Sequence, residues 1–264
     1  MSKPLISSGS DDSDEEYVII PKLKIKPSVE NKILRKKVAP TSLKLFNTDD
    51  ESMFEIGVDE AGRGPLFGRV YAASVTLPKD GSFDCSKVKD SKKFHSKRKI
   101  EEAAAYIKEN ALAWHVSYED EKTIDQINIL QATQLAMRNS ILEVRKKLNE
   151  KMEAQCSNIL LIDGNYFNPI TYLDKATNKL AVVPFITVEG GDNLYASIAA
   201  ASILAKVERD KYIDDMCAEH AELSEYYGID SNKGYGAKKH IDGIKEHGIT
   251  IWHRRTFGIC KNYS

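Results

Sequence analysis

Asp59 and Glu60 are adjacent carboxylates that run straight into Ala61-Gly62-Arg63-Gly64-Pro65. Such a pair can bind a hard cation or move a proton, the glycines let backbone approach a ligand closely, and Arg63 offers a fork of donors suited to phosphate or a polar sugar edge. Two further aspartates stand at comparable places. Asp163 closes an apolar run in Asp163-Gly164-Asn165, and Asp192 lies in Glu189-Gly190-Gly191-Asp192-Asn193, just ahead of a helical pattern. Each also has a plain structural explanation: a charged surface turn for the Asp-Glu pair, a turn residue for Asp163, a helix N-cap for Asp192.

The elements that must carry these groups are readable from periodicity. Phe54, Ile56 and Val58 alternate as in a half-buried strand. Successive strand residues face opposite sides, so Asp59 and Glu60 serve one site only if the strand breaks there, a break that Gly62, Gly64 and Pro65 would supply. Arg69 to Leu77 alternates again and predicts an antiparallel hairpin partner. A basic run from Lys87 to Lys99 follows, with Ser96 placed to cap a helix that carries Ile100, Ala104 and Ile107 and closes at Asn110. Leu112, Trp114, Val116 and Tyr118 predict a third strand. A long amphipathic helix over 125–154 should bury Ile127, Leu130, Leu135, Ile141, Leu142, Leu148 and Met152. Ile159 to Ile162 reads as a strand buried on both faces, Val182 to Val188 as a further strand, and Ala196 to Val207 as a helix of small and apolar residues. From Tyr226 to Cys260 the chain is rich in Lys, His and aromatic residues and reads as short helices and loops.

The 264 residues suffice for one substantial core, and 42% hydrophobic with 29% charged residues is ordinary for a globular protein. A formal net charge of -1 gives no global signal for nucleic acid, so any such signal lies in local charge. Four widely spaced cysteines without a C-x-x-C pair favour neither a zinc site nor a disulfide framework, and a reducing, cytoplasmic setting is expected. His240, His247 and His253 lack tight ligand spacing for zinc. No apolar run is long enough to span a bilayer. Residues 1–51 differ from the rest: an acidic cluster at 11–16 and then a basic stretch, the whole segment broken into short pieces by Pro4, Pro21, Pro27 and Pro40. They read as a disordered extension with short docking segments at Tyr17 to Ile20 and Leu43 to Phe46, a place where a protein partner could bind. A monomer is the default.

The stretch from Phe54 to Gly68, with Asp59-Glu60 run into Gly-Arg-Gly-Pro, resembles the signature of the ribonuclease HII family, the type 2 ribonucleases H. Five more segments are similar to that family in order: Asp90-Ser91-Lys92-Lys93, Ile124 to Thr133, the small-residue helix with Ala199-Ala200-Ala201-Ser202, Lys206 and Arg209-Asp210, Asn232-Lys233-Gly234-Tyr235-Gly236, and His253-Arg254-Arg255-Thr256-Phe257. The resemblance covers about Phe54 to Phe257. It implies an α/β ribonuclease H-like fold, a mixed central sheet flanked by helices, with residues 52–218 as catalytic core and 219–264 as a helical appendage forming one wall of the substrate groove. It makes Asp163 and Asp192 the third and fourth carboxylates of the site. Phe67 and Arg69 depart from the small residues or proline more usual there, and Ala237 from the hydroxyl residue that commonly follows Gly-Tyr-Gly.

On that resemblance Asp59, Glu60, Asp163 and Asp192 form a hard-oxygen site for two Mg2+ or Mn2+ ions, which relieve the mutual repulsion of the carboxylates. Two such ions activate a water and stabilise the leaving oxygen in an in-line attack on phosphorus, with no side-chain nucleophile. Gly62, Arg63 and Gly64 are placed to read the ribose 2′-OH, Lys92, Lys93 and Lys206 to contact phosphates, and Tyr235 to stack on the sugar beside the junction. The implied activity is endonucleolytic: hydrolysis of RNA in RNA/DNA hybrids and cutting 5′ of ribonucleotides embedded in duplex DNA, leaving 3′-hydroxyl and 5′-phosphate ends. The alternatives are a ribonuclease HIII-like enzyme acting mainly on long hybrids, a silent hybrid-binding module, and a metal phosphoesterase of small molecules. The last leaves the basic run and Tyr235 without a purpose.

Overall fold

The computed structural model describes residues 43–88, 96–154, 156–174 and 177–263. Strands β1 (Phe54–Ala61), β2 (Val70–Thr76) and β3 (Ala113–Glu119) join β4 (Asn158–Asp163) and β7 (Phe185–Val188) in one five-stranded sheet of order β3-β2-β1-β4-β7. Its first three strands pair antiparallel, while β1–β4 and β4–β7 are parallel. Helices α1 (Lys97–Asn110) and α3 (Ala196–Glu219) pack on one face and α2 (Glu121–Met152) on the other. The short helices α4 (Ala221–Glu225), α5 (Ile229–Asn232) and α6 (Lys238–His247) complete the chain. Among the described residues no helix is long and apolar enough to cross a membrane.

Strand alternation divides β1 cleanly. Ile56 and Val58 enter the α2-side core, whereas Gly57 faces α3. A Cβ on Gly57 would lie 2.2 Å from the Ser197 carbonyl carbon, so the helix backbone rests directly on the strand. That contact explains the run of small residues on α3: Ala196, Ala199, Ala200, Ala201 and Ala205 are all buried. Larger side chains would lift α3 and the turn before it away from the strand ends.

Three elements differ from the sequence reading. The strand does not break at the acidic pair: β1 continues through both carboxylates, with Glu60 opposite Ala72 and Ala61 opposite Tyr71, because β2 carries the ladder onward. The long helix starts at Glu121, capped by Asp120, and contains a break at Asn128 (φ 66°, ψ 163°). Asn128 accepts hydrogen bonds from the Leu130 and Gln131 N–H groups, re-capping the helix and rotating its first turns. Ile127 is consequently exposed, as is Met152 at the far end of the helix; Ile141 and Leu148 are buried as expected, and Ile124, Ala132, Ala136, Met137 and Val144 complete the stripe. Finally, the single strand expected over 182–188 is two: β6 (Lys179–Val182) pairs with β5 (Thr171–Asp174) in a separate hairpin, and β7 begins after Pro184, which has no N–H to carry a ladder across.

The stretch Leu43 to Phe46 lies on the core, with Lys44 bridging to Leu194 and Ala196 through backbone hydrogen bonds. Beyond it, the Asn47 and Thr48 N–H groups donate to the buried Glu55 carboxylate. Tyr17 to Ile20 lies outside the described residues.

Candidate active site

The acidic residues gather at the C-terminal ends of the parallel strands, the edge where open α/β sheets generally hold ligands. Val58 pairs with Ile162, and the register continued by one residue sets Asp59 beside Asp163 on the α3 face. Asp192 joins them from the short 3-10 turn Gly191–Asn193. It does not cap α3, whose N-cap is Tyr195. Asn193 Nδ2 donates to Asp192 Oδ1 at 2.8 Å, and the Gly191 N–H donates to Asp163 Oδ1 at 2.7 Å, so the turn is tied to β4. Glu60 leaves β1 from the opposite side and is held by Arg63 Nη1 at 3.0 Å.

Burial and like charge act together here. Asp59 is 5% exposed; burial and then the charges of Asp163 and Glu60 push its carboxyl well above the ordinary range, against hydrogen bonds from the Ser202 side chain and the Glu60 N–H. Burial and the neighbouring Asp192 raise Asp163 to about 6, with Gly191 pulling the other way and Glu60 adding to the rise. Asp59 and Asp163 thus carry the repulsion of the cluster. Oxygen donors without a cysteine or histidine among them suit Mg2+ or Mn2+, and cations would remove the repulsion that lifts these groups. Among the described residues no three Asp, Glu, His or Cys side chains stand close enough to hold an ion as they are. Binding would draw the carboxylates inward.

Next to this cluster the segment 62–69 wraps around one side chain. Arg254, wholly buried, donates from Nε to Gly68 O, from Nη1 to Arg63 O and Pro65 O, and from Nη2 to Gly62 O and Arg69 O, at 2.6 to 3.1 Å. Burial and then Arg209 push its guanidinium down to about 9, still a cation at neutral pH. Backbone bonds from Arg254 N to Leu66 O, Gly68 N to Trp252 O and Leu66 N to Gly234 O stitch the turn to both C-terminal loops. Gly62 sits at φ +92°, and a Cβ there would meet Arg209 Nε at 2.8 Å.

Tyr235 is half exposed, and its ring lies against Gly64, where a Cβ would meet it at 3.3 Å. The buried Arg209 guanidinium approaches the same ring to 5.6 Å and donates to Lys233 O. The histidines of this region hold backbone. Thr250 N donates to His253 Nδ1, so a neutral His253 carries its proton on Nε2 and donates to His240 Nε2 at 3.0 Å; His240 Nδ1–H then donates to Tyr235 O at 2.9 Å. Burial, then His240, pushes His253 down to about 3, and burial also lowers His240, so both stay neutral.

Lys206 is paired with Asp210 at 2.7 Å. It lines a groove of about 260 Å³ with Lys97, Lys211 and Lys233, where Asp214 bridges Lys97 and Lys233. Lys92 and Lys93 fall outside the described residues. The functional side chains without a role in the sequence reading are Ser202, Arg209 and Arg254. Their residue types carry no signal of burial: Arg254 is wholly buried beside an exposed Arg255.

Comparison with known proteins decides the family. The sequence profile of Ribonuclease HII matches residues 56–260. The chain belongs to the ribonuclease HII family. It is 43% identical over 206 residues to Ribonuclease HII of Chlorobium luteolum, covering 77% of this chain and 88% of that protein. Its fold resembles ribonuclease H2 from Pyrococcus horikoshii OT3, with TM-score 0.58, 22% identity, 80% of this chain and 97% of that one covered. It also resembles Bst-RNase HIII in complex with Mn2+, with TM-score 0.60, 19% identity, and 81% and 70% covered. These likenesses agree with the mixed ribonuclease H-like sheet described above.

Proposed function

We propose that this chain is an endoribonuclease that hydrolyses the RNA strand of RNA/DNA hybrids and cuts 5′ of a ribonucleotide embedded in duplex DNA. The observation that carries the reading is the adjacency of two unlike surfaces: an acidic cluster in which Asp59 and Asp163 are pushed up by burial and neighbouring carboxylates, and a glycine turn facing an exposed tyrosine. Family membership fits the activity.

Asp59, Glu60, Asp163 and Asp192 are the residues that would hold divalent cations. When bound, the cations supply positive charge that favours attack of water on phosphorus and departure of the 3′ oxygen. Mg2+ or Mn2+ fits the donor set. Ser202 and the Glu60 N–H keep one Asp59 orientation, and Gly191 does the same for Asp163. Arg63 keeps Glu60 at the edge of the cluster. Gly62 to Gly64 lie where backbone donors can meet a 2′-OH, the group that separates RNA from DNA. Tyr235 offers a flat surface to the neighbouring sugar, while Lys206 and Lys233 line a groove suited to phosphates, and Lys92 and Lys93, which lie outside the described residues, are read from the family resemblance as further phosphate contacts. A monomer in a reducing cytoplasmic setting remains the reading of the chain's assembly and location.

The test is cleavage of a labelled DNA duplex carrying one ribonucleotide, with Mg2+, with Mn2+ and with chelator, both product ends being mapped. A metal-dependent cut 5′ of the ribonucleotide that leaves a 3′-hydroxyl is expected. Cleavage of a long hybrid alone would favour HIII-like specificity, and binding without cleavage of either would overturn the enzyme assignment.

A further inference from the structure

A buried arginine normally meets a carboxylate, because an unpaired interior charge is costly. Arg254 instead meets five neutral carbonyls, all from the segment 62–69. Asp125, an acid whose charge reaches Arg254, is otherwise engaged: it accepts from the Arg255 and Thr256 N–H groups and from the Thr256 hydroxyl. A guanidinium has five N–H donors in a fixed planar fork, and here every one is used on main chain.

That arrangement dictates where the opposite side of each peptide points. In a trans peptide the C=O and the following N–H are antiparallel. With the Gly62 and Arg63 carbonyls turned in to Arg254, the N–H groups of Arg63 and Gly64 are turned out, away from the guanidinium. Neither donates to an acceptor among the described residues. Gly64 lies against the exposed Tyr235 ring, so its outward donor opens beside that surface. Two donors are therefore held ready at a solvent-facing place by a cation on the far side of the chain.

We propose that Arg254 is a positioning residue for ribose recognition: it templates the glycine turn so that the Arg63 and Gly64 N–H groups are presented to the 2′-oxygen of the substrate. The inference rests on the ribonuclease reading above and deepens it. Lysine at this position would keep the charge and lose the fork, so charge alone cannot reproduce the template. The loss should appear as lost discrimination between ribose and deoxyribose, with duplex binding itself retained, because the lysines of the groove are untouched.

The experiment measures binding of two duplexes in Ca2+, with cleavage in Mg2+ as a check that the wild-type preparation is active. One is all DNA and the other carries a single ribonucleotide. The proteins are wild type, Arg254→Lys and Arg254→Ala, the last with and without millimolar guanidinium ion, and each is first shown folded by circular dichroism. Wild type is expected to prefer the ribonucleotide duplex, and both variants to lose that preference by about tenfold, the worth of a charge-anchored hydrogen bond, while affinity for all-DNA duplex stays within twofold. Guanidinium should restore preference to Arg254→Ala. If Arg254→Ala does not fold, Arg254→Lys decides. Undiminished preference in a folded variant overturns the positioning role, as does equal loss on both duplexes. No preference and no cleavage in wild type would instead overturn the ribonuclease reading beneath it.

Discussion

The strand ends and the glycine turn handle buried charge in opposite ways. At the strand ends Asp59 and Asp163 are pressed together with too few donors, and burial adds to their repulsion. In the turn the wholly buried guanidinium of Arg254 has an acceptor for every N–H. The contrast separates two tasks. On the proposed function, the surface that would take up cations is left short of positive charge, whereas the surface that would recognise a sugar is fixed before the sugar arrives, which limits the ordering cost of binding.

The largest effect that could break this contrast is on turnover. Asp59→Asn and Asp192→Asn should each lower kcat at least about a thousandfold, on the order of 4 kcal/mol of barrier, in single-turnover cleavage. Near-normal rates in both would mean that the acidic cluster is not the reacting centre. Next comes Gly57→Ala, which drives a methyl into the backbone of α3. It should cost about 3 kcal/mol in denaturant unfolding, and the surviving folded protein should lose activity because Asp192 travels with the start of that helix. An unchanged midpoint would show that α3 does not need its close approach to β1.

Smaller effects sharpen the recognition side. Tyr235→Ala should reduce cleavage at a single embedded ribonucleotide about tenfold, the worth of one stacking contact, and reduce cleavage of a long hybrid less. Equal losses on both substrates would remove Tyr235 from junction recognition. The last effect is a pH trend in stability without metal. Asp163 rises from an ordinary 3.8 to about 6 on folding, so between those values the folded state holds the extra proton. Stability therefore falls as pH climbs through that window and the penalty is complete above about 6. Thermal unfolding in chelator across pH 4 to 7 should show the decline, and a rise would contradict the repulsion.

The strands that carry the acidic edge were legible because apolar alternation is a local signal, whereas Asp163 and Asp192 were joined to Asp59 and Glu60 only through the family resemblance. Phe54, Ile56 and Val58 marked the strand, and Asp163 lay where the apolar run of β4 stops. What stayed hidden depends on contacts distant in sequence. Ladder pairing with β2 carried β1 through both carboxylates, and only the parallel register could show Asp59 beside Asp163 with Glu60 on the other side. The break at Asn128 escaped because the apolar residues on either side fit one continuous helical period. Arg254 and Gly62 are 192 residues apart, and nothing in the Arg254-Arg255 dipeptide tells which side chain turns inward. The hairpin β5–β6 was missed because its strands are short and its residues largely solvent-facing, so burial left no pattern.

The most direct measurement of the contrast is thermal unfolding of wild type and Asp59→Asn over a titration of Mg2+ or Mn2+ against chelator. Without cation the variant should be the more stable of the two, having lost a buried repulsion, and added cation should raise the wild-type midpoint while leaving the variant nearly unmoved. A wild type indifferent to cations, or a variant less stable than wild type in chelator, would contradict the account that this acidic edge is a cation site held under repulsion.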